Sequence, residues 1–333
     1  MLSPGSLKDF FVLIRWRNLV MVALTMILIR YAVLQPLVSK IGVILRSDPT
    51  QELAMRLQFP LYDFILLVLA TVLITAGGYV INDYFDIKTD LINRGKVIVG
   101  TKIPRRTAMM WHLILNAIGI AIGFYISWRA RYFMMGALFL IVSGLLYFYS
   151  ASYKRQFLVG NLIVAVLTAA VPMLVAIYEW PALYQFYAAN AIAEPDIEFV
   201  LYWPGAFAVF AFLTTLTREI IKDIEDFEGD IAYGRNTVPV VLGINTSKIV
   251  AAALIIITIA LLFLVWFFYV QDLITLTYIS ATVIIPMLFV LFRLKRSSSR
   301  ENLHSASNLM KIVMLAGILY TVVVKVILTY DLY

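Results

Sequence analysis

The chain has 333 residues, of which 62% are hydrophobic and 14% are charged, and its mean hydropathy is +0.90. A water-soluble protein of this length could not bury so much apolar surface, so the composition predicts an integral membrane protein. The sequence has no cysteine, which excludes disulfides and thiolate chemistry, and its two histidines argue against a haem or a histidine metal site. We interpret the net charge of +7 through the basic loops between apolar segments, not as a sign of nucleic-acid binding.

Nine apolar segments are long enough to cross a bilayer, since a membrane helix needs about 20 apolar residues. They lie near residues 17–37, 59–82, 107–128, 132–150, 157–178, 201–221, 247–269, 273–293 and 308–329. The apolar runs are continuous and do not alternate with polar residues, which favours helices over the strands of a β-barrel. The predicted fold class is therefore all-α, a polytopic membrane protein with nine transmembrane helices.

The distribution of basic residues predicts how the spans are oriented. Lys102, Lys154 and Arg293 belong to basic loops after spans two, four and eight, whereas the loop from Glu179 to Glu198 carries four acids and no base. Because cytoplasmic loops are enriched in lysine and arginine, the N-terminus and the loops after even-numbered spans are predicted to face the cytoplasm. We expect a multi-pass protein, located in the plasma membrane if the organism is a prokaryote.

A strongly charged segment, GGYVINDYFDIKTDLINRGK at residues 77–96, follows the second span directly. Helical residues four apart share a face, so Asn82, Asp86 and Asp90 are predicted to form one stripe with Asp83 beside it. Such a stripe at the edge of a bilayer is costly unless a cation neutralises it. A solvated helix end is the simpler interpretation for any single aspartate.

A second segment of the same kind, TLTREIIKDIEDFEGDIAYGRNTVP at residues 215–239, follows the sixth span. Its acidic stripe is flanked by Lys222 and consists of Glu219, Asp223, Asp226 and Asp230. Glu225 and Glu228 are predicted to point elsewhere. Recurrence at helical spacing after equivalent spans favours a functional site over two solvated helix ends.

The repeat also predicts the organisation of the chain. A single membrane domain over residues 1–333 would contain two halves of four helices each, at about 10–155 and 156–300, and an extra helix at 305–330. Both halves would start on the same side of the membrane, which places both acidic segments on the cytoplasmic side.

The residue types in the two stripes suit a hard cation. Carboxylate and amide oxygens are the preferred ligands of Mg²⁺, which commonly shares its coordination shell with phosphate oxygens. The expected ligand is therefore a Mg²⁺-diphosphate, and basic side chains on the same side of the membrane are expected to contact it. Those candidates are Arg94, Lys96, Lys102, Lys154, Arg155, Lys222 and Arg235, each of which has a role in topology as its alternative.

The motifs NDYFDIKTD and DFEGD resemble the NDxxDxxxD and DxxxD signatures of the UbiA superfamily of intramembrane prenyltransferases. The segments LIRWRNL, YSASYKRQFLVGN and REIIKDIEDFEGDIAYGRNTVPVVLG also look like this family, and most like its geranylgeranylglycerol-phosphate and its chlorophyll or homogentisate branches. The likeness covers essentially the whole chain. The loop NRGKVIVG departs from the family pattern NRPxRPIPSG because it lacks the prolines.

The resemblance implies a helical fold around a central cavity, in which two Mg²⁺ ions hold an isoprenyl diphosphate between the motifs. The implied metal ligands are Asn82, Asp83, Asp86, Asp90, Asp223, Asp226 and Asp230. Asp86, Asp226 and Lys222 are the expected catalytic residues. The expected substrate-binding residues are Arg94, Lys96, Lys102, Lys154, Arg235, Tyr149 and Asn161, although packing is the alternative for the last two.

The predicted activity is Mg²⁺-dependent transfer of a prenyl group, with geranylgeranyl diphosphate as the expected donor, to a lipid-like acceptor such as geranylgeranylglyceryl phosphate. One alternative is an aromatic acceptor of the 4-hydroxybenzoate, homogentisate or naphthoate type. Another is an ion-coupled transporter, but transporters place such charges near the bilayer midplane and not at span ends. The third is a non-catalytic protein of the same fold, against which the intact acidic residues argue.

Overall fold

A computed structural model describes residues 7–94, 97–193, 195–296 and 299–330, with the side chains of residues 90 and 92–94 left out. In these ranges, nine helices are long and apolar enough to cross a membrane. Spans 1 to 9 are Trp16–Ser39, Leu61–Phe85, Arg105–Arg129, Phe133–Ala151, Val159–Asn190, Phe199–Glu225, Ile244–Val270, Leu273–Arg296 and Arg300–Tyr330. The predicted all-α, polytopic membrane fold is confirmed.

Shorter elements connect or interrupt the spans. The helices outside them are Leu7–Leu13, Ile87–Arg94, Phe227–Ala232 and Val238–Leu242, with a 3-10 turn at Tyr153–Arg155. Span 4 opens with a 3-10 turn at Phe133–Gly136. π-helical turns interrupt spans 1 and 8 at Ile29–Leu34 and Ser280–Ile284, and another ends span 7 at Trp266–Val270. Strands β1 (Gly42–Ile44) and β2 (Glu52–Ala54) form an antiparallel hairpin that the sequence did not predict, with Gly42 opposite Ala54.

Span 5 is longer than predicted. The acidic loop was expected to begin at Glu179, but the helix continues to Asn190, so this boundary was wrong. Glu179 is fully buried within the helix, where its carboxylate accepts hydrogen bonds from the backbone N–H groups of Gln58 (2.6 Å) and Phe59 (3.0 Å). Arg30 also lies 3.6 Å from this carboxylate. The two hydrogen bonds to Oε1 and the nearby charge of Arg30 offset part of the cost of burying this carboxylate, whereas Oε2 accepts no hydrogen bond within the described residues.

The described chain forms two compact units. The first comprises residues 1–23, 61–164 and 222–247, and the second comprises residues 24–60, 165–221 and 248–333. The aspartates of the two acidic segments, at residues 83–90 and 223–230, belong to the first unit. The predicted division into two four-helix halves and the central cavity stay predictions.

Within the first unit, close helix packing sets the position of the first acidic segment. A Cβ atom on Gly77 would stand 2.2 Å from Nδ2 of Asn116, so span 2 approaches span 3 as closely as the absence of a side chain allows. The ring of His112 donates from Nδ1 to the carbonyl oxygen of Gly77 (3.0 Å), and Ser143 donates to Asn116 (2.7 Å). This buried polar network fixes span 2 just before the acidic segment.

Candidate functional site

Both acidic segments have a helix break at an equivalent aspartate. Span 2 ends at Phe85 and a new helix begins at Ile87, so Asp86 lies at the junction. Asp226 lies at the corresponding junction between span 6 and helix Phe227–Ala232. The prediction of a continuous helical stripe was therefore wrong at both positions.

The backbone angles of Asp226 describe the second helix break. Asp226 has φ −92° and ψ 8°, which lies in the bridge region and not in the regular helical region. The backbone hydrogen bond to the residue four positions earlier is nevertheless retained, at 3.0 Å for Asp86 and 2.9 Å for Asp226. Each helix break therefore leaves this one backbone hydrogen bond in place.

A buried lysine and a half-buried arginine converge on one oxygen of Asp86. Lys154 donates from Nζ and Arg235 donates from Nη2 to Oδ1, each at 2.7 Å. Asp86 is 8% exposed and Lys154 is 9% exposed. Nζ of Lys154 also lies 3.4 Å from Oδ1 of Asn82, so the amide and the carboxylate of the first motif share one ammonium group.

Arg235 connects the two acidic segments. Its second guanidinium nitrogen, Nη1, lies 3.5 Å from Oδ1 of Asp230, and Nη2 also donates to the hydroxyl of Thr89 at 2.6 Å. Asp230 is 2% exposed and accepts a hydrogen bond from Thr237 at 3.0 Å. One arginine thus bridges an aspartate of the first motif and an aspartate of the second.

Burial and charge act against each other in this cluster. Burial alone would raise the pKa of Asp86, but Lys154 and Arg235 outweigh it and hold that pKa below its ordinary value. Burial lowers the pKa of Lys154 to about 8, although Asp86 opposes the shift. Burial raises the pKa of Asp230 to about 6, against the effect of Arg235. At neutral pH the Lys154 to Asp86 pair is therefore still predominantly ionised.

Three other residues predicted to bind metal or substrate contact polar side chains of the first unit. Asp83 accepts a hydrogen bond from Arg15 at 2.8 Å, and Asp223 accepts one from Asn161 at 2.8 Å. Lys102 contacts Asp9 at 3.1 Å.

For the remaining predicted residues, the structure gives fewer side-chain contacts or none. Tyr149 is near enough to Arg235 to contribute to its raised pKa, for which burial is the opposing effect. Lys222 and Asp226 are half-buried. The side chains of Asp90 and Arg94, and the whole of Lys96, fall outside the described residues, so their predicted roles stay predictions.

Three contributors to the cluster were not predicted as site residues. Thr89 lies three positions after Asp86, and that helical spacing was a signal for a shared face. Thr237 lies in the GRNTVP segment, where no spacing rule points to Asp230. Arg15 lies in the segment LIRWRNL, and the sequence alone does not bring this segment before span 1 next to Asp83.

The donor chemistry of these residues suits Mg²⁺. Carboxylate oxygens and one amide oxygen dominate the cluster, and Lys154 occupies a position between Asn82 and Asp86 where positive charge is stabilised. In the part of the chain that the structure describes, no three acidic or histidine side chains already form a metal-binding group. Metal binding by these carboxylates would require them to exchange their present cationic partners.

Gly160 determines where Lys154 can lie. A Cβ atom at this position would stand 2.8 Å from Cα of Lys154 and 3.3 Å from the carbonyl oxygen of Tyr153. These are backbone atoms, which cannot rotate away. The start of span 5 therefore packs directly on the turn that carries Lys154.

We expect Gly160→Ala to lower turnover about tenfold to a hundredfold, because the turn must move and the ammonium group of Lys154 moves with it. Steady-state kinetics and the thermal unfolding midpoint in detergent would test this. The matched control is Gly144→Ala in span 4, where a Cβ atom meets nothing within 4 Å. Equal activity of the two variants would contradict the positioning role.

Known proteins share both the sequence and the fold. The sequence model of the UbiA prenyltransferase family matches residues 53–315 of this chain. The digeranylgeranylglyceryl phosphate synthase of Methanosphaera stadtmanae is 32% identical over 257 residues, which cover 76% of this chain and 85% of that protein. The synthase of Pyrococcus horikoshii is 34% identical over 194 residues, 58% of this chain and 61% of that protein.

Solved structures agree on the fold. A digeranylgeranylglyceryl phosphate synthase structure has a TM-score of 0.61 at 23% identity and covers 95% of this chain and 98% of its own. A UbiA homologue from Archaeoglobus fulgidus, bound to DMAPP and Mg²⁺, has a TM-score of 0.50 at 19% identity over 95% of this chain and 99% of its own. Because the family match spans most of the sequence, this chain belongs to the UbiA prenyltransferase family.

Proposed function

We propose that the protein transfers a prenyl group from an isoprenyl diphosphate, geranylgeranyl diphosphate in particular, to a lipid-like acceptor such as geranylgeranylglyceryl phosphate. The observation that carries the proposal is the cluster in which Arg235 and Lys154 converge on Asp86 while Arg235 also approaches Asp230. A diphosphate bound between the two acidic segments would need cations there, and buried Lys154 and half-buried Arg235 would supply them.

Mg²⁺, two ions in our proposal, would be held by the acidic and amide oxygens of both segments. The proposed ligands are Asn82, Asp83, Asp86, Asp90, Asp223, Asp226 and Asp230. When bound, the metal would supply positive charge that polarises the diphosphate. The Archaeoglobus fulgidus homologue bound to DMAPP and Mg²⁺ supports this choice of ion.

The basic residues of the cluster would stabilise the leaving group. As the bond between the prenyl carbon and the diphosphate oxygen lengthens, negative charge accumulates on the diphosphate. Lys154 is a buried cation and Arg235 a half-buried one, and both lie beside Asp86. If a metal ion takes their place on Asp86, their N–H groups would become available to donate hydrogen bonds to that charge. Lys222, Arg94, Lys96 and Lys102 are further proposed contacts from the same segments and loops.

The surroundings of the cluster would protect the reacting carbon. A prenyl chain gains about 0.8 kcal/mol for each CH₂ group that leaves water, so an apolar site within the membrane spans favours its binding. The same environment excludes water, which would otherwise consume a carbocation. Tyr149 is a proposed aromatic contact for that positive charge and Asn161 a proposed wall residue.

The acceptor assignment rests on the relatives. Two proteins that match this chain at more than 30% identity are digeranylgeranylglyceryl phosphate synthases, and a solved synthase of that name shares the fold. We therefore favour a glycerol-phosphate lipid over an aromatic acceptor. By the basic-loop pattern, we place the N-terminus and the mouth of the site on the cytoplasmic side.

The proposal predicts a defined product. Purified protein in detergent, given geranylgeranyl diphosphate, geranylgeranylglyceryl phosphate and Mg²⁺, is expected to release diphosphate and form a lipid whose mass is raised by one geranylgeranyl group. EDTA is expected to abolish the reaction and added Mg²⁺ to restore it. Parallel reactions with phenolic acids test the acceptor class.

Each outcome decides a different part of the proposal. A prenylated phenolic product with no lipid product would overturn the acceptor, and full activity in EDTA would overturn the metal. Absence of any prenylated product, from protein that retains its thermal unfolding transition, would overturn prenyl transfer to these acceptors.

A further inference from the structure

A second basic site lies on the surface of the first unit, where spans 2 and 3 meet at the end that carries the first acidic segment. It is an open groove of about 740 Å³ whose walls include Tyr84, Arg105, Arg106, Met109, Met110 and Leu113. None of these residues holds Asp86 in the cluster described above. The groove therefore needs an explanation of its own.

The charged end of the groove has two arginines. Both Arg105 and Arg106 are exposed, and the guanidinium carbon of Arg105 lies 4.7 Å from the centre of the Tyr84 ring. Among the described residues, neither guanidinium is within ion-pair distance of a carboxylate. Stacking on Tyr84 orients Arg105 without neutralising it, so the pair can bind an external anion.

The rest of the groove is apolar and runs along a membrane span. Met110, Leu113 and Ile114 are 49%, 59% and 41% exposed, and their spacing of three and four residues places them on one face of span 3. In a membrane span, such an exposed apolar face contacts hydrocarbon chains. The groove thus combines an anion-binding head with a hydrocarbon-binding wall.

We propose that this groove binds an anionic glycerophospholipid of the surrounding bilayer. The phosphodiester would accept hydrogen bonds from Arg105 and Arg106, since guanidinium groups bind phosphate oxygens through paired donors. One acyl or isoprenyl chain would lie along Met110 and Leu113. Basic pockets beside membrane spans recognise lipid headgroups in this way. We assign a bilayer lipid because the apolar wall of the groove is an exposed face of a membrane span.

Native mass spectrometry of the full chain would test the proposal after reconstitution in nanodiscs and extraction into mild detergent. Wild-type protein is expected to retain phosphatidylglycerol in preference to phosphatidylcholine. The R105Q/R106Q double variant is expected to retain phosphatidylglycerol about tenfold more weakly. Leu113→Trp would fill the groove without changing charge, and it is expected to lower retention as well.

The matched control is K295Q/R296Q, which removes two exposed basic residues from the last turn of span 8. Retention in this variant is expected to equal that of the wild type. The proposal is overturned if R105Q/R106Q retains the lipid normally, if both double variants lose it equally, or if Leu113→Trp has no effect. Retention of geranylgeranylglyceryl phosphate but not of phosphatidylglycerol would overturn the choice of occupant.

Discussion

Replacing Asp86 with asparagine is expected to lower the rate of prenyl transfer about a thousandfold or more. The substitution removes the carboxylate on which Lys154 and Arg235 converge and a proposed metal ligand in the same step. Loss of one preorganised electrostatic group costs about a hundredfold to a thousandfold, and loss of the metal's contribution adds to it. Product formation under saturating donor and acceptor would measure the effect.

The Asp86 variant also needs a control for folding. Breaking a buried ion pair by removing one partner can destabilise a protein by about 3–5 kcal/mol. Asp226→Asn, at the equivalent helix junction but only half-buried, is expected to lose activity with a smaller loss of thermal stability. Glu228→Gln lies in the same short helix as Asp230 and is exposed, so its activity is expected to stay near wild type. Wild-type turnover in either aspartate variant would contradict the assigned roles.

Replacing Lys154 with glutamine is expected to lower kcat about a hundredfold or more, with a smaller change in KM. The ammonium group lies 2.7 Å from Asp86, and negative charge on the diphosphate is largest in the transition state. A group that stabilises the transition state more than the bound substrate affects kcat before it affects KM. Lys154→Arg, which retains the charge but changes its geometry, is expected to recover part of the activity.

Arg155 provides the matched control for Lys154. It is the next residue in the same turn, but its side chain is exposed whereas that of Lys154 is buried. Arg155→Gln makes the same change in net charge and is expected to leave kcat close to wild type. Equal losses of kcat in the Lys154 and Arg155 variants would mean that only the total positive charge of the turn matters. Such a result would contradict a specific role for Lys154.

The fold class followed from the sequence because membrane spans depend on local composition. Long apolar runs specify helices wherever they occur, so the nine spans were predicted within several residues at most ends. Span 5 was the largest exception, since Glu179 was interpreted as the start of a loop. Span 9 also begins at Arg300, earlier than the predicted residue 308. The carboxylate of Glu179 accepts hydrogen bonds from the backbone of Gln58 and Phe59, which are distant in the sequence. Local composition does not predict such long-range contacts.

The acidic residues of the proposed site could be selected from the sequence because their spacing and their recurrence after equivalent spans are visible there, and their role as ligands stays a prediction. Their partners were only partly predictable. Lys154 and Arg235 were candidates among several basic residues, and the sequence could not distinguish them from Lys102, which contacts Asp9. Arg15 and Thr237 reach their aspartates through tertiary packing. The hairpin of β1 and β2 also escaped prediction, since its strands have only three residues each.

We propose that the two acidic segments form one diphosphate site. Calorimetric titration of the purified protein with a non-hydrolysable geranylgeranyl thiolodiphosphate in the presence of Mg²⁺ would test this. We predict one analogue per chain in the wild type, no measurable binding in EDTA, and binding weakened about a hundredfold or more by Asp86→Asn and by Asp226→Asn separately. Wild-type affinity in either variant would show that one segment suffices and would contradict the claim.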